Sequence, residues 1–385
     1  MGIEIRIFRP VNENRSHFEP IGLTKNATNI TRISRLYEPG SFAFDIPFTA
    51  LYANEIKEHV IVLIDRDFWG IVDDIQFTAN AEGLWIHVSG RDLKGLTAGK
   101  IVIPPQSSGI TGMQGFDAVQ GSTETVMKHY VNANMVETPM QPKRQIAGMV
   151  VALDLQRGIE NDRYSARHDR LDNALAELGQ ASGLGYDIIA DLAAGEFIFD
   201  VIEGVDRSGT QSDRPRIIFD IALKTAISQN FTASLSDSRN VFYATMSGAE
   251  FADEALTMMY IRDNEEEETG IYRREHHIDI SAETPIAGQE YNELRRYALI
   301  EAENFRPVQS FQSEILENKQ VYGKDYFLGD IVTARSSDFG VTMHTQLVEM
   351  EINYGVDGIS KTATFGRPKL DIFGRLRKQI NRGGI

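Results

Sequence analysis

Residues 68–88 read FWGIVDDIQFTANAEGLWIHV, and this stretch decides the fold class. Two runs with many apolar residues flank a turn at Ala79–Gly83. Leu84, Ile86 and Val88 alternate with other residues, so a strand would place all three on one face. Two such runs around a Gly-containing turn are typical of a β-hairpin. The stretch therefore predicts a β-rich fold, in which residues 1–92 form a small meander or barrel.

Three further strands are predicted before this hairpin. Ile3, Ile5 and Ile7 alternate with charged residues, which is the pattern of a half-buried strand. Alternation continues in residues 41–47, and residues 59–65 form a short apolar run that suits a buried strand.

The composition changes after Lys100. Residues 104–109 contain turn-forming Pro, Ser and Gly, which indicates a domain boundary. Ser122 precedes a helical pattern over 123–131 and can cap its first turn. Another helical pattern spans 169–180, ends near Gly183, and is followed by a predicted hairpin over 186–201. The middle of the chain is therefore predicted to be α+β.

Strand patterns return beyond residue 230, with one amphipathic helix predicted over 290–303. The predicted strands are 241–246, 256–261, 271–280, 309–315, 331–334 and 345–352. The sequence thus predicts a first β domain (1–100), an α+β insertion (101–230), a second β-rich domain (231–366) and a basic C-terminal tail (367–385). It leaves open whether the two β regions are one enlarged module or a duplicated one.

Composition excludes several classes of protein. The chain has 385 residues, 42% of them hydrophobic, and no cysteine, which excludes disulfides and thiolate metal sites. The sequence lacks a run of roughly 20 apolar residues, so neither membrane insertion nor a secretory signal is predicted. A formal charge of −16 argues against binding to nucleic acid. The basic tail is interpreted as a solvated segment, with a phosphate or acidic-partner site as the alternative.

Sequences that approach known phosphate, calcium and dinucleotide loops each lack an essential feature. Gly90–Gly95 has no Lys-Ser/Thr, and Gly95–Ile101 has an isoleucine where a hydroxyl would bind magnesium. Asp65–Gly70 begins like a calcium loop, but Trp69 occupies a ligand position. Gly183–Gly185 follows a helix rather than a strand, so it is interpreted as a helix terminus.

Candidate acid–base and metal pairs are also unsuitable. His276 and His277 are adjacent in a predicted strand, so their side chains point to opposite faces, and Asp73–Asp74 has the same problem. Neither a serine hydrolase nor a zinc protease motif is present. No catalytic, cofactor-binding or metal-binding residue is therefore predicted, and the chain is not expected to be an enzyme.

The densest charge run is Asp263–Glu268. Between two predicted strands it is interpreted as a solvated hairpin loop. The alternative hypothesis is that the run faces a channel in which like-charge repulsion keeps passing DNA from binding.

Several segments, taken in order, resemble the siphophage tail-tip family of baseplate hub and tail-associated structural proteins. These segments are Gly70–Ile75, Val88–Leu96, Glu124–Val131, Leu171–Gly185, Tyr322–Val332 and Val348–Ile352. The resemblance spans nearly the whole chain. It implies two β-barrel-like hub units flanking a smaller α/β domain that projects outward.

The same resemblance implies how the protein works. Three copies would form a ring at the end of the tail tube, in the virion, after assembly in the bacterial host cytoplasm. Implied partners are the distal tail, tube, tape-measure and receptor-binding proteins, with DNA present only in transit, no cofactor and no membrane insertion. A ring of this kind needs two different complementary patches on each subunit.

Two other functions remain open. A tail-associated carbohydrate-binding or cell-wall-degrading protein would need exposed aromatic side chains and a carboxylate pair in a cleft. Trp69 and Trp85 are the only indoles, and both are expected to be packing residues of the hairpin. An unrelated multidomain enzyme is the third possibility, because a fold alone never excludes catalysis.

Overall fold

The computed structural model describes most of the chain. The described residues are 2–10, 18–81, 83–105, 117–138, 142–246, 256–262, 268–280, 290–356 and 358–367. The chain divides into two compact units, Met1–Gln229 with Gln312–Phe365 and Asn230–Phe311 with Gly366–Ile385.

Strands dominate the N-terminal part of the first unit. They are β1 (Ile5–Pro10), β2 (Phe18–Thr24), β3 (Thr28–Arg35), β4 (Ser41–Pro47), β5 (Ile61–Ile64), β6 (Phe68–Asn80) and β7 (Gly83–Asp92). The predicted hairpin over 68–88 is confirmed as β6 and β7, which pair antiparallel from Gly70–Asp92 to Asn80–Gly83. The apolar run is confirmed as β5, in which every residue is buried.

The following segment mixes helices and strands, as predicted. Its elements are α1 (Gly95–Ala98), β8 (Asp117–Ser122), α2 (Thr123–Val131), β9 (Met149–Val151), β10 (Glu160–Ala166), α3 (Leu171–Ser182), β11 (Gly185–Asp191) and β12 (Glu196–Ile202). Ser122 caps α2 by accepting a hydrogen bond from the Thr125 amide at 3.2 Å. α3 ends at Gly183, which adopts a left-handed φ of 76°. Both predicted helix ends are therefore confirmed.

The rest of the described chain returns to strands. They are β13 (Ile218–Phe219), β14 (Ala226–Ser234), β15 (Val241–Met246), β16 (Leu256–Ile261), β17 (Glu275–Asp279), β18 (Val308–Ile315), β19 (Ile331–Ser336), β20 (Val341–Gly355) and β21 (Gly358–Arg367), with α4 (Glu290–Asn304) between β17 and β18. The predicted helix over 290–303 is confirmed as α4. The predicted strand over 271–280 is shorter, because a 3-10 turn occupies Gly270–Tyr272.

The largest sheet has thirteen strands. Eleven follow the order β14-β18-β21-β20-β3-β4-β7-β6-β5-β1-β2, and β19 pairs with β20 and β13. β3 and β20 pair antiparallel, so residues more than 300 positions apart in the chain are hydrogen-bonded neighbours. The prediction of a mainly β fold is confirmed. The strand pairs of the described residues do not close a barrel, so the two barrel-like units stay a prediction.

One buried apolar cluster of the first unit draws on both β strands and α+β elements. It includes Phe8 and Phe18 from β1 and β2, Leu175 from α3, and Tyr186 and Phe199 from β11 and β12. Its members therefore come from both sides of residue 100. The two compact units do not coincide with the four segments predicted from the sequence (1–100, 101–230, 231–366 and 367–385). The boundaries of those segments stay a prediction.

The second unit contains a three-stranded sheet and α4. β15 pairs antiparallel with β16 and parallel with β17. Leu294 and Ala298 of α4 are buried in one apolar cluster with Phe242, Met258 and Ile278 of the strands. The amphipathic pattern of residues 290–303 is thus used to cover one face of this small sheet.

Three sequence features fall wholly or partly outside the described residues. They are the acidic run Asp263–Glu268, the turn-rich residues 104–109 and the basic tail 367–385, of which the structure describes only residues 268, 104, 105 and 367.

Candidate assembly surface

Gly90, from a segment that resembles a phosphate loop, and Gly70, from the segment that resembles a calcium loop, serve packing. Phe42 on β4 is 3% exposed, and its ring lies against Gly70 and Gly90. A Cβ atom at either glycine would collide with that ring. The two glycines therefore let β6 and β7 approach an aromatic side chain closely.

Asp92 and Lys94 form a buried polar cluster beside β11. The Asp92 carboxylate accepts a hydrogen bond from the Gly40 amide at 2.8 Å, and Lys94 donates to the Arg35 carbonyl. The Lys94 ammonium lies 5.3 Å from the centre of the Tyr186 ring. Burial raises the pKa of Asp92 to about 6, and Lys94 opposes that shift. Through these contacts with backbone groups and an aromatic ring, the cluster connects the end of β7 to β3, to the segment before β4 and to β11.

The carboxylates of Asp65 and Asp67, in the turn whose sequence resembles a calcium loop, accept hydrogen bonds from other side chains. Both Asp67 oxygens accept from the Arg32 guanidinium, at 2.5 and 3.1 Å. The Tyr354 hydroxyl donates to Asp65 at 2.8 Å. The Arg32 guanidinium also lies 5.8 Å from the ring centres of Phe68 and Tyr354. The turn is thereby tied to β3 and β20.

His276 and His277 have separate partners, as their positions in a strand predict. The His276 ring lies 4.3 Å from the Phe305 ring, centre to centre. His277 Nε2 lies 2.9 Å from the Thr245 hydroxyl. Among the described residues, no three His, Asp or Glu side chains come together as metal ligands do.

Trp69 packs in the core region as predicted. Its ring centre lies 5.2 Å from that of Phe8 and 5.8 Å from that of Phe18. Trp85 is half-buried on β7, opposite Pro47 of β4. Trp69 is therefore already used for packing and is not free to stack on a sugar.

Ordered apolar side chains on the surface are the feature that fits assembly. Residues 152–159, here called the leucine segment, expose 80% of Leu153, 59% of Leu155 and 51% of Ile159. The segment continues β9, since the Ala152 amide donates to the Phe199 carbonyl at 2.9 Å. Because large exposed apolar patches mark interaction sites, this segment is a candidate contact surface.

A buried ion cluster holds the leucine segment. The Glu124 side chain is fully buried and accepts from Lys128 at 2.6 Å and from Arg157 at 2.8 Å. Lys128 also donates to the Leu153 carbonyl at 2.6 Å, and Asp200 lies 2.9 Å from its ammonium. Burial alone would raise the pKa of Glu124, but the hydrogen bonds from Arg157 and Lys128 outweigh it and hold that pKa well below its usual range. These contacts hold the backbone that carries the exposed Leu153 and Leu155 in one position.

The end of the β6–β7 hairpin carries a second apolar surface, here called the hairpin-tip patch. It consists of Phe48, Leu51, Phe77 and Leu84, which are 45%, 68%, 67% and 55% exposed. The Phe48 and Phe77 rings lie 6.3 Å apart and meet edge to face.

The large sheet also has strand edges. In the described residues, β2 and β14 are the two ends of its main strand order, and the edge of a strand can pair with another chain.

Sequence reasoning missed both surfaces. Leu153 and Leu155 alternate with Asp154 and Gln156, a pattern that elsewhere in the chain belongs to half-buried strands. Leu84 was expected on the same face as Ile86 and Val88, and those two are buried, whereas Leu84 lies beside the turn of the hairpin and is exposed. A short alternating run gives the face of a side chain but not whether another element covers it.

Comparison with solved structures finds tail proteins of similar fold. The 43 kDa tail protein of prophage MuSo2 from Shewanella oneidensis is 12% identical, with a TM-score of 0.56 over 95% of this chain and 98% of that one. A tail protein from Neisseria meningitidis MC58 is 13% identical, with a TM-score of 0.53 over 95% of this chain and 96% of that one. At such identities the likeness concerns the fold alone.

Curated protein sequences include no match to the chain. Among the described residues, no helix is both long and apolar enough to span a bilayer. The model of the family described as Siphovirus ReqiPepy6 Gp37-like protein matches residues 4–367. Because this match covers nearly the whole chain, the protein belongs to the Siphovirus ReqiPepy6 Gp37-like family.

Proposed function

We propose that the protein is a structural component of a phage or prophage tail tip or baseplate hub. In this proposal, three copies form a ring that closes or extends the tail tube and supports DNA passage and host attachment. The observation that carries the proposal is the exposure of apolar side chains on a rigidly held segment, in a chain with the fold of prophage tail proteins. A structural role needs contact surfaces and no catalytic group.

The physical argument starts from the cost of exposed apolar surface. Burying it contributes roughly 25 cal/mol per Å², so a fold that displays Leu153 and Phe77 gains stability when a partner covers them. The leucine segment and the hairpin-tip patch lie in different parts of the chain and differ in sequence. Two different patches on each subunit are what a cyclic ring requires, whereas a two-fold dimer uses one patch twice.

The partners and location follow from the same role. Other tail proteins, namely distal tail, tube, tape-measure and receptor-binding proteins, would contact the ring within the virion, after assembly in the host cytoplasm. A formal charge of −16 would keep DNA in transit from adhering to the lumen. The organisation into two barrel-like units, an α+β insertion and a basic tail belongs to the same proposal.

Light scattering across a protein concentration series, followed by negative-stain imaging of the largest species, tests the ring. A three-subunit species with a central hole is the expected result. A monomer at every concentration, also in the presence of the neighbouring tail proteins, would contradict the proposal.

A further inference from the structure

A positively charged groove lies in the first unit, between residues 215–225 and 319–325. It encloses about 290 Å³ and is lined by Ile218, Leu223, Arg216, Lys319 and Asp325, among others. This volume is just below the range of about 300–1,000 Å³ typical of small-molecule sites, and it suits one or two protein side chains. We call it the basic groove.

The walls of the basic groove are fixed by hydrogen bonds. Lys319 donates to the Leu223 carbonyl at 3.3 Å, and the Gln320 side chain donates to the Ile218 carbonyl at 3.3 Å. Asp325 accepts from the Val321 amide at 2.8 Å. Apolar surface remains open, since Leu223 is 38% exposed. The groove therefore combines a preformed apolar floor with cationic sides.

The charge of this groove is opposite to that of the protein. Arg216 and Lys319 against Asp325 give its lining an excess of one positive charge, in a chain with a formal charge of −16. Such a site attracts an acidic partner and repels basic ones.

A loop of the second unit has the complementary chemistry. Residues 268–272, here called the acidic loop, contain Glu268 followed by a 3-10 turn that leaves Ile271 85% and Tyr272 68% exposed. In the sequence the loop comes directly after Asp263–Glu267. The Tyr272 carbonyl accepts from the Asn240 side chain at 3.0 Å, which anchors the loop to the residue just before β15.

We propose that the acidic loop of one copy docks in the basic groove of the next copy. The inference rests on the proposed ring and names one of its contacts. Ile271 or Tyr272 fills the apolar floor, while Glu268 faces Lys319 and Arg216. Loop and groove are different surfaces, so each copy offers both, and the contact continues from copy to copy until the ring closes.

The absence of cysteine makes a direct test possible. Leu223→Cys and Ile271→Cys are made in two separate full-length proteins, mixed, oxidised mildly and separated on a non-reducing gel. A disulfide-linked heterodimer is expected. The matched control mixes Ile271→Cys with Leu192→Cys, an apolar residue at 48% exposure in the β11–β12 turn, outside the groove and outside both apolar surfaces. Proximity should make the heterodimer roughly tenfold more abundant than in the control.

Light scattering of the same samples separates this contact from the ring itself. Oligomers that form without a heterodimer above control would overturn the contact and leave the ring standing. If no oligomer and no heterodimer form, also after the neighbouring tail proteins are added, both are contradicted. A Leu223→Cys/Ile271→Cys double variant that forms only an internal disulfide, while the mixed single variants form none, would show that the pairing is not between copies.

Charge exchange provides a second readout. Lys319→Glu should weaken self-association roughly two- to fivefold, as expected for one solvent-accessible ion pair. Adding Glu268→Lys to the same chain should restore it, because each contact again joins opposite charges. Circular dichroism checks that both variants remain folded. If the double variant associates more weakly than Lys319→Glu alone, the assigned pairing is wrong.

Discussion

Asp92 is a buried carboxyl whose titration should affect stability. Its pKa is raised to about 6 by burial, so the folded protein binds this proton more tightly than the unfolded chain does. The free energy of unfolding should therefore increase as the pH falls through 6 toward 4. A difference of about two pKa units corresponds to about 3 kcal/mol.

Replacing Asp92 with Asn removes this titration. Chemical denaturation of Asp92→Asn and the native protein at several pH values should show the variant gaining relative stability as the pH rises from 4 to 8. Asp338→Asn, at an exposed turn, is the control and should change little. A difference between Asp92→Asn and the native protein that is constant with pH would contradict the expected titration.

Arg32 is expected to contribute through its planar, bidentate contact. Arg32→Lys keeps the charge but loses one hydrogen bond to Asp67 and the guanidinium contacts with the Phe68 and Tyr354 rings. A loss of about 1–3 kcal/mol in the free energy of unfolding is expected, measured by denaturation. The Arg9 side chain is 60% exposed beside Glu55, so Arg9→Lys should cost less than about 0.5 kcal/mol. Equal effects of the two changes would show that the contact at Arg32 adds nothing beyond charge.

The left-handed conformation of Gly183 at the C-terminal end of α3 can be tested by substitution. Gly183→Ala places a Cβ in open space, with the Gln346 side chain 3.6 Å away, so its cost comes from the left-handed φ of 76°. A loss of about 1–2 kcal/mol is expected in thermal or chemical unfolding. Gly99→Ala is the matched control, since Gly99 has a φ of −84° and no close contact. It should be neutral or slightly stabilising. If both changes cost the same, backbone conformation is not the cause.

The leucine segment offers a test that separates folding from assembly. Leu153→Ser with Leu155→Ser should change the free energy of unfolding by less than about 0.5 kcal/mol, because both side chains are mostly exposed. Self-association measured by light scattering should weaken. Val356→Ser removes an apolar side chain that is 98% exposed at the β20–β21 turn and serves as the control. Unchanged association in the leucine variant would exclude this segment as a contact between copies.

Elements with local signals were predictable from the sequence. The β6–β7 hairpin, the Ser122 cap and the Gly183 terminus each depend on residues within a few positions of one another. The interactions that form these elements join residues close together in the chain, so the sequence alone is enough to predict them. The exposure of Leu153 depends instead on what the rest of the chain leaves uncovered, and alternation alone could not reveal it.

The pairing of β3 with β20 is the main feature of the whole molecule that the sequence did not predict. Thr31 lies opposite Asn353, and their side chains are joined by a hydrogen bond of 2.6 Å across 322 positions. Many strands of similar pattern could pair with β3, so local alternation leaves the partner open. For the same reason, Arg32, Asp67 and Tyr354 were not expected to meet.

This pairing also sets an order of events during translation. β3 and β4 leave the ribosome early, but one edge of β3 has no partner until β20 has been made. At roughly 5–20 residues per second, the wait lasts roughly 15 to 60 seconds. During that time the nascent chain carries an open strand edge of the kind that invites aggregation. We therefore expect the N-terminal segment to depend on chaperones while it is attached to the ribosome, and slower synthesis of residues 100–340 to lower the yield of folded protein.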